Sequence, residues 1–151
     1  MSNSFDPEQF FKFATVIVGD ANANEAALRS AISRAYYATF LVSRERLFGL
    51  DGVGLTRATR KRIIKKFRLV HKKTREPGTH EIISFAIFDK TKKVTLSQQL
   101  EQLKDARVNA DYKLSEDVLL DVGKSSWKAY AEETMQLASQ VLPLAKTLPS
   151  Y

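Results

Sequence analysis

The segment "NEAALRSAISRAYYATFLVSRERLF", residues 24–48, carries apolar residues at almost every position around a helix. They are Ala27, Ala31, Ile32, Ala35, Tyr36, Ala38, Phe40, Leu41 and Val42. A helix that is apolar on nearly every side is covered by other helices or by a second subunit. We therefore predict a central helix from about Asn24 to Phe48, ended by Gly49, in a homodimer that covers the sides a small bundle leaves open.

The rest of the chain also favours helices over strands. Only 6 Gly and 4 Pro interrupt the 151 residues, and most apolar residues recur every three or four positions. This length suits one core of ordinary size, and no repeat or second-domain linker stands out. We predict an all-α fold, an up-and-down bundle of four to five main helices in a single domain over residues 1–151.

Capping residues and helix breakers predict the helix boundaries in the first half of the chain. Asp6 and Pro7 provide a cap and a first helical residue for a helix that runs to about Val18. The linker "GLDGVG", residues 49–54, leads to a basic helix from about Thr56 to Lys73, which the turn "REPGT", residues 75–79, ends.

Three further segments complete the predicted bundle. A short apolar segment, "HEIISFAIF", covers residues 80–88. An amphipathic helix follows, with apolar positions at Leu96, Leu100, Leu103, Ala106 and Ala110. Ser115, with Glu116 and Asp117 after it, is typical of a helix start and predicts a last long helix to about Leu144.

Composition excludes several classes of site. The chain has no cysteine, so it forms no disulfide and no thiolate-bound zinc or iron–sulfur centre, and we expect neither a metal nor a cofactor. The start, "MSNSFDPEQFFKF", has no basic region followed by an apolar run, and no apolar stretch approaches the roughly 20 residues that span a bilayer. A soluble cytoplasmic protein without a membrane partner is the expectation.

Positive charge is concentrated in one segment. The chain has a net charge of +7, and ten basic residues and no acidic one lie between Arg57 and Arg75. Five of them recur at helical spacing and form one stripe: Arg57, Lys61, Lys65, Arg68 and Lys72. Ile63, Ile64, Phe67 and Val70 form the apolar side of the same helix. The stripe is either a solvated face or a surface for a polyanion, with RNA preferred over DNA or an anionic membrane.

A polar cluster lies in "LKDARVNADYKL", residues 103–114, on the amphipathic helix that follows Leu96. One helical turn after Leu103 comes Arg107, so this arginine interrupts the apolar face. Asp111 is four residues further on and can pair with it, while Tyr112 offers an aromatic ring with a polar tip. Two interpretations remain open: an ion pair that fixes the helix register, or a polar site facing a cleft or a subunit interface.

Three stretches together resemble a HEPN domain, a family named for nucleotide binding in higher eukaryotes and prokaryotes. They are "RSAISRAYYATFLVSRERL" at 29–47, "GTHEIISF" at 78–85 and "LKDARVNADY" at 103–112. The resemblance implies a homodimeric helical bundle with Arg107 near a cleft between the subunits, and it makes Arg34, Tyr37, Asn109 and His80 further cleft candidates. It also implies a toxin–antitoxin or phage-defence setting, with an antitoxin or a nucleotidyltransferase as the cognate partner.

Many HEPN members are metal-independent ribonucleases with an Arg-x4-6-His motif, and here the histidine is missing. Positions 112–114, which follow Arg107 at that spacing, are Tyr, Lys and Leu. RNA cleavage needs a group that moves protons near neutral pH, which histidine does without a large pKa shift. The formal match from Arg75 to His80 crosses a predicted turn, and His80 is expected to cap or support the short segment after it.

Three functions are therefore compatible with the sequence. The first is a dimer that binds RNA or nucleotides without cleaving them. The second is a ribonuclease with a degenerate motif, in which Arg107, Asn109, Asp111 and Tyr112 replace the usual arginine and histidine. The third is a dimerisation scaffold with no nucleic-acid role.

Overall fold

The computed structural model describes residues 5–115 and 117–151, and these residues form seven α-helices and no β-strand. The helices are α1 (Glu8–Gly19), α2 (Glu25–Phe48), α3 (Arg57–His71), α4 (Thr79–Thr91), α5 (Thr95–Tyr112), α6 (Val118–Asp121) and α7 (Trp127–Ala145). A single 3₁₀ turn, Leu50–Gly52, follows α2. The predicted all-helical bundle is confirmed.

Helix α2 is the centre of the bundle and packs against α1, α4, α5 and α7. The side chains of Ala31, Ala35 and Ala38 have no exposed surface, and their small size lets neighbouring helices come close. The predicted central position of this helix is confirmed. Because one chain covers α2 by itself, its apolar sides no longer call for a second subunit, and the homodimer remains a prediction without that support.

Helix α4 is longer than the short apolar segment predicted over residues 80–88. All six residues from Ile82 to Ile87 are buried, because α2, α3 and α5 all pack against this helix. A helix covered from several directions needs no polar face, so it lacks the three- and four-residue periodicity that marks a surface helix. For this reason the spacing of apolar residues did not predict the full length of α4.

The prediction of one long helix from Ser115 to Leu144 is wrong. The chain forms the short helix α6, then turns at Gly123, which has a φ of +70°. The long helix α7 begins only after Ser126, whose side chain accepts a hydrogen bond from the Ala129 N–H at 3.0 Å. The Ser115 hydroxyl accepts from the Asp117 N–H in a local turn instead. Glu116, the second residue of the predicted start, lies outside the described residues.

Hydrogen bonds confirm the predicted starts of the second and third helices, whereas α1 begins at Glu8, one residue later than predicted. The side chain of Asn24 accepts from the Ala27 N–H at 2.8 Å, and that of Thr56 accepts from the Thr59 N–H at 3.2 Å. Asp6 accepts from the Glu8 N–H at 3.0 Å. These bonds satisfy backbone donors that have no partner inside the helix.

None of the helices in the described ranges has both the length and the apolar character needed to cross a lipid bilayer.

Removing the cap of the central helix should destabilise the fold measurably. We expect Asn24→Ala to lower the free energy of unfolding by about 1 kcal/mol, since the Ala27 N–H loses its side-chain acceptor. Asn22→Ala is the matched control, because Asn22 is also exposed and lies two residues before the cap. Urea denaturation of both variants and the parent measures the difference. Equal effects of the two changes would contradict the role assigned to Asn24.

Candidate functional site

Arg107 on α5 is held by three side chains. Its Nε donates to the Asp111 carboxylate at 3.1 Å, and one terminal nitrogen donates to the hydroxyls of Tyr37 at 2.8 Å and Tyr112 at 3.0 Å. The Arg107 and Asp111 side chains are only 19% and 26% exposed. The predicted partly buried ion pair is thus confirmed, whereas its place at a subunit interface stays a prediction.

Tyrosine rings surround the same guanidinium. Its central carbon lies 5.6 Å from the ring centroid of Tyr36, 5.1 Å from that of Tyr37 and 5.2 Å from that of Tyr112. Such distances give cation–π attraction. The Asp111 carboxylate also accepts from the Ser33 hydroxyl at 3.0 Å, which ties α5 to α2. We call this group the arginine cluster: Ser33, Tyr37, Arg107, Asp111 and Tyr112.

A second polar group, the histidine cluster, consists of Tyr36, His80 and Glu101. The Tyr36 hydroxyl lies 2.8 Å from Nδ1 of His80, and the Glu101 carboxylate lies 2.8 Å from Nε2. The hydrogen bond from His80 holds the pKa of Glu101 below its usual range, so this carboxylate only accepts. In the neutral ring Nε2 therefore carries the proton and Nδ1 accepts from Tyr36. Burial raises the pKa of the Tyr36 phenol, which keeps that proton in place.

The two clusters meet at Tyr36, whose ring lies beside Arg107 and whose hydroxyl contacts His80. Positions 112–114 hold no histidine, but His80 of α4 contacts the same tyrosine, Tyr36, whose ring lies beside Arg107. Both of its ring nitrogens are engaged, and its side chain is only 11% exposed. These two hydrogen bonds tie α2, α4 and α5 together through polar side chains.

The formal pair of Arg75 and His80 is not formed. Arg75 donates to both oxygens of Glu81 at 2.7 Å, and His80 faces Tyr36 and Glu101 instead. The expected support of α4 by His80 is confirmed, because its ring joins the first turn of that helix to α2 and α5.

Two cleft candidates point away from the arginine cluster. The Arg34 guanidinium lies over the rings of Phe10 and Phe13 on α1, at 5.6 and 4.8 Å from their centroids. Asn109 is buried and donates to the hydroxyl of Tyr130 on α7 at 3.0 Å. Of the four cleft candidates, only Tyr37 bonds to Arg107 directly, and His80 reaches it through Tyr36.

The cationic residues of α3 form an exposed surface, the α3 stripe. It consists of Arg57, Lys61, Lys65, Arg68 and Lys72, all of them exposed. The helix ends at His71, and Lys72 adopts a left-handed backbone, so the last member follows the helix instead of lying on it. This shortens the predicted helix, which was expected to reach Lys73.

Carboxylates neutralise other cations of this segment but not the α3 stripe. Arg60 pairs with Glu76, Lys66 with Asp89 and Arg75 with Glu81. Within residues 5–115 and 117–151, no carboxylate oxygen comes within 4.0 Å of a stripe nitrogen. Among the described residues, no ion pair neutralises a cation of the stripe.

The apolar side of α3 is narrower than predicted. Ile63 and Phe67 are buried and Ile64 is half-buried, but Val70 remains 55% exposed near the end of the helix. Val70 fails to pack because it borders an open groove between α3, α4 and the first half of α5. The sequence could not reveal this groove, since three separate segments form it.

In the part of the chain that the structure describes, no three histidine or carboxylate side chains come together as a metal site would require.

No protein-family model, curated protein or solved structure matches this chain. The resemblance to HEPN domains thus depends on the three quoted stretches alone.

Two tyrosine hydroxyls of this region should differ in their importance for stability. Tyr36→Phe leaves Nδ1 of the largely covered His80 ring without a partner, so we expect it to lower the free energy of unfolding by about 1–3 kcal/mol. Tyr112→Phe also removes a hydrogen-bonded hydroxyl, but its side chain is 65% exposed and water replaces the bond, so its effect should be small. Thermal or urea denaturation checks the ranking, and the reverse order would refute it.

The histidine cluster also predicts a pH dependence. Because the pKa of Glu101 is lowered in the folded state, its stabilising contribution is present above its ordinary value of 4.5 and is lost as pH falls through the lowered value. Glu101→Gln should therefore destabilise the protein near pH 7, and the gap from the parent should narrow below about pH 4.5. Urea denaturation across this pH range, with the exposed Glu132→Gln as control, tests it. A gap that stays constant with pH would exclude the linkage.

Proposed function

We propose that this protein binds single-stranded RNA through the α3 stripe, by contacts to phosphates and without sequence preference. The observation that carries the proposal is the set of five exposed cations with no carboxylate within pairing distance in the described residues. Like charges held on one surface repel one another, and a polyanion relieves that repulsion while releasing its own counterions.

The spacing of the stripe suits an extended backbone. From Arg57 to Arg68 the helix rises by about 16 Å at 1.5 Å per residue, and Lys72 extends the row beyond the helix end. Such a row can contact several successive phosphates. No aromatic side chain belongs to the stripe, so base stacking plays no part in the proposed contact.

Two alternatives to RNA are weaker. A membrane-binding helix inserts its apolar face into the lipid, whereas Ile63 and Phe67 of α3 are buried against the rest of the bundle. Duplex DNA offers the same phosphates, and the preference for RNA comes from the resemblance to HEPN domains, many of which act on RNA. A toxin–antitoxin role comes from the same resemblance, and a nucleotidyltransferase encoded next to this chain would support it.

The arginine cluster contributes little to the proposed affinity. Arg107 lies beside the Asp111 carboxylate, so the net attraction of the pair for a phosphate is small. Cleavage is the second candidate, favoured by the presence of a histidine one tyrosine away from Arg107. The engagement of both His80 nitrogens argues against it, and for this reason we place binding first.

The test compares two variants that lose the same charge. Lys61, Lys65 and Arg68 are changed together to Gln, and the control changes Lys12, Arg46 and Lys93, which are exposed and lie outside α3. Each phosphate contact on a single strand contributes about −0.7 to the slope of log affinity against log salt, so the stripe variant should flatten that slope by roughly two units. It should weaken binding to all RNA sequences alike. The control should keep most of the parent's slope.

Labelled RNA in EDTA separates the three candidate functions. Retention without cleavage, lost in the stripe variant and kept in Arg107→Ala, supports the proposal. Cleavage that disappears in Arg107→Ala supports a ribonuclease. A stripe variant that binds as tightly as the parent across the salt titration would overturn the proposal, and a parent that binds no RNA leaves the dimerisation scaffold.

A further inference from the structure

A second groove lies on α3 itself, along the α3 stripe. It encloses about 480 Å³ and is lined by three stripe cations, two aliphatic side chains and one carboxylate: Lys61, Lys65, Arg68, Ile64, Leu69 and Glu76. Glu76 belongs to the segment that follows the helix, and the other lining residues belong to α3. One carboxylate therefore borders the surface proposed to bind phosphates.

Glu76 is held in place by its neighbours. Arg75 before it donates to both oxygens of Glu81 at 2.7 Å, and Pro77 after it is buried. Arg60 on α3 donates to one oxygen of the Glu76 carboxylate at 3.3 Å. The backbone of this segment and the carboxylate are thus both anchored beside the groove.

The second oxygen of this carboxylate is open to a ligand. Within residues 5–115 and 117–151, Oε1 of Glu76 accepts from Arg60, and Oε2 accepts no hydrogen bond. In the same ranges no stripe nitrogen lies within 4.0 Å of the carboxylate, and its side chain is 63% exposed. An ionised carboxylate accepts hydrogen bonds and donates none. The groove therefore combines cations that suit phosphates with a fixed acceptor that suits a hydroxyl.

A carboxylate at this place opposes phosphate binding unless it gains a contact of its own, because it repels every phosphate nearby. RNA carries a group that provides this contact. Each ribose lies between two phosphates and has a 2′-hydroxyl that donates a hydrogen bond. Deoxyribose lacks this donor, so DNA would meet only the repulsion, and such a difference gives specificity.

We propose that Glu76 selects RNA over single-stranded DNA by accepting a hydrogen bond from a ribose 2′-hydroxyl. Lys61 and Lys65 hold phosphates on either side of that ribose. Ile64 is half-buried and Leu69 is 71% exposed, and both offer aliphatic surface to the sugar. The inference rests on the proposed RNA binding and gives it a basis for preferring RNA that is independent of the family resemblance.

Three single strands of one sequence test the role of the hydroxyl: RNA, DNA and 2′-fluoro RNA. The fluoro compound keeps a sugar conformation like that of RNA but has no hydroxyl hydrogen to donate. The parent should bind RNA about three- to tenfold more tightly than either of the other two, as one net hydrogen bond provides. Equal affinity for RNA and 2′-fluoro RNA would overturn the proposal.

Glu76→Met tests the carboxylate, because it keeps the length of the side chain and removes the acceptor. This variant should bind RNA and DNA with nearly equal affinity, and it should bind DNA more tightly than the parent does, since a negative charge has left the groove. Glu132→Met is the matched control on α7, since Glu132 is also exposed and pairs with a cation, Lys128. It should keep the parent's preference, and circular dichroism verifies that both variants are folded.

The outcomes separate this inference from the proposed function. A parent that binds RNA and DNA alike, with the salt slope assigned to the α3 stripe, overturns the role of Glu76 and leaves the phosphate contacts standing. A Glu76→Met variant that still prefers RNA as the parent does has the same meaning. A parent that binds none of the three strands overturns both proposals.

Discussion

The need to cover α2 on every side governs the rest of the structure. A 24-residue helix whose buried residues include Ala31, Ala35 and Ala38 on closely packed faces is stable only inside a cage of other helices. Helices α1, α4, α5 and α7 form that cage. The same packing brings together polar side chains that are far apart in the sequence. A buried polar group of α2 needs a hydrogen-bond partner, and the surrounding helices are the elements that can provide it.

Tyr36 and Tyr37 illustrate this requirement. Adjacent residues on a helix point about 100° apart, so the two rings face different neighbours. Tyr36 is buried and meets His80 of α4, whereas Tyr37 meets Arg107 of α5. These two hydrogen bonds connect three helices through polar side chains. The polar residues around Arg107 are therefore part of the packing, and any binding role they have is added to a structural one.

The sequence predicted the local parts of this arrangement and missed the non-local ones. The spacing of four residues was enough to pair Arg107 with Asp111, and caps such as Asn24 marked helix starts. Tyr36 and His80 are 44 residues apart, and no periodicity relates them. The break at Gly123 was missed because the spacing of apolar residues before and after it is also compatible with one continuous helix. The positive φ of Gly123 and the cap at Ser126 show that the chain forms two helices instead.

The cations of this molecule differ in how far neighbouring groups compensate their charge. Arg107 forms an ion pair with Asp111, which reduces the electric field of the guanidinium outside the protein. Tyrosine rings pack around the guanidinium and hold it in position. Four of the five α3 stripe residues lie on a helix whose main partner is α4, so much of that helix faces water. In the part of the chain that the structure describes, no carboxylate lies within pairing distance of a stripe nitrogen. An exposed, unpaired charge attracts a polyanion at long range but holds no atom in a defined position. A paired and packed charge attracts a polyanion weakly but can hold a contacting atom in a defined position. A ligand drawn by the stripe would thus acquire a defined geometry only where it also reached a fixed group such as Arg107.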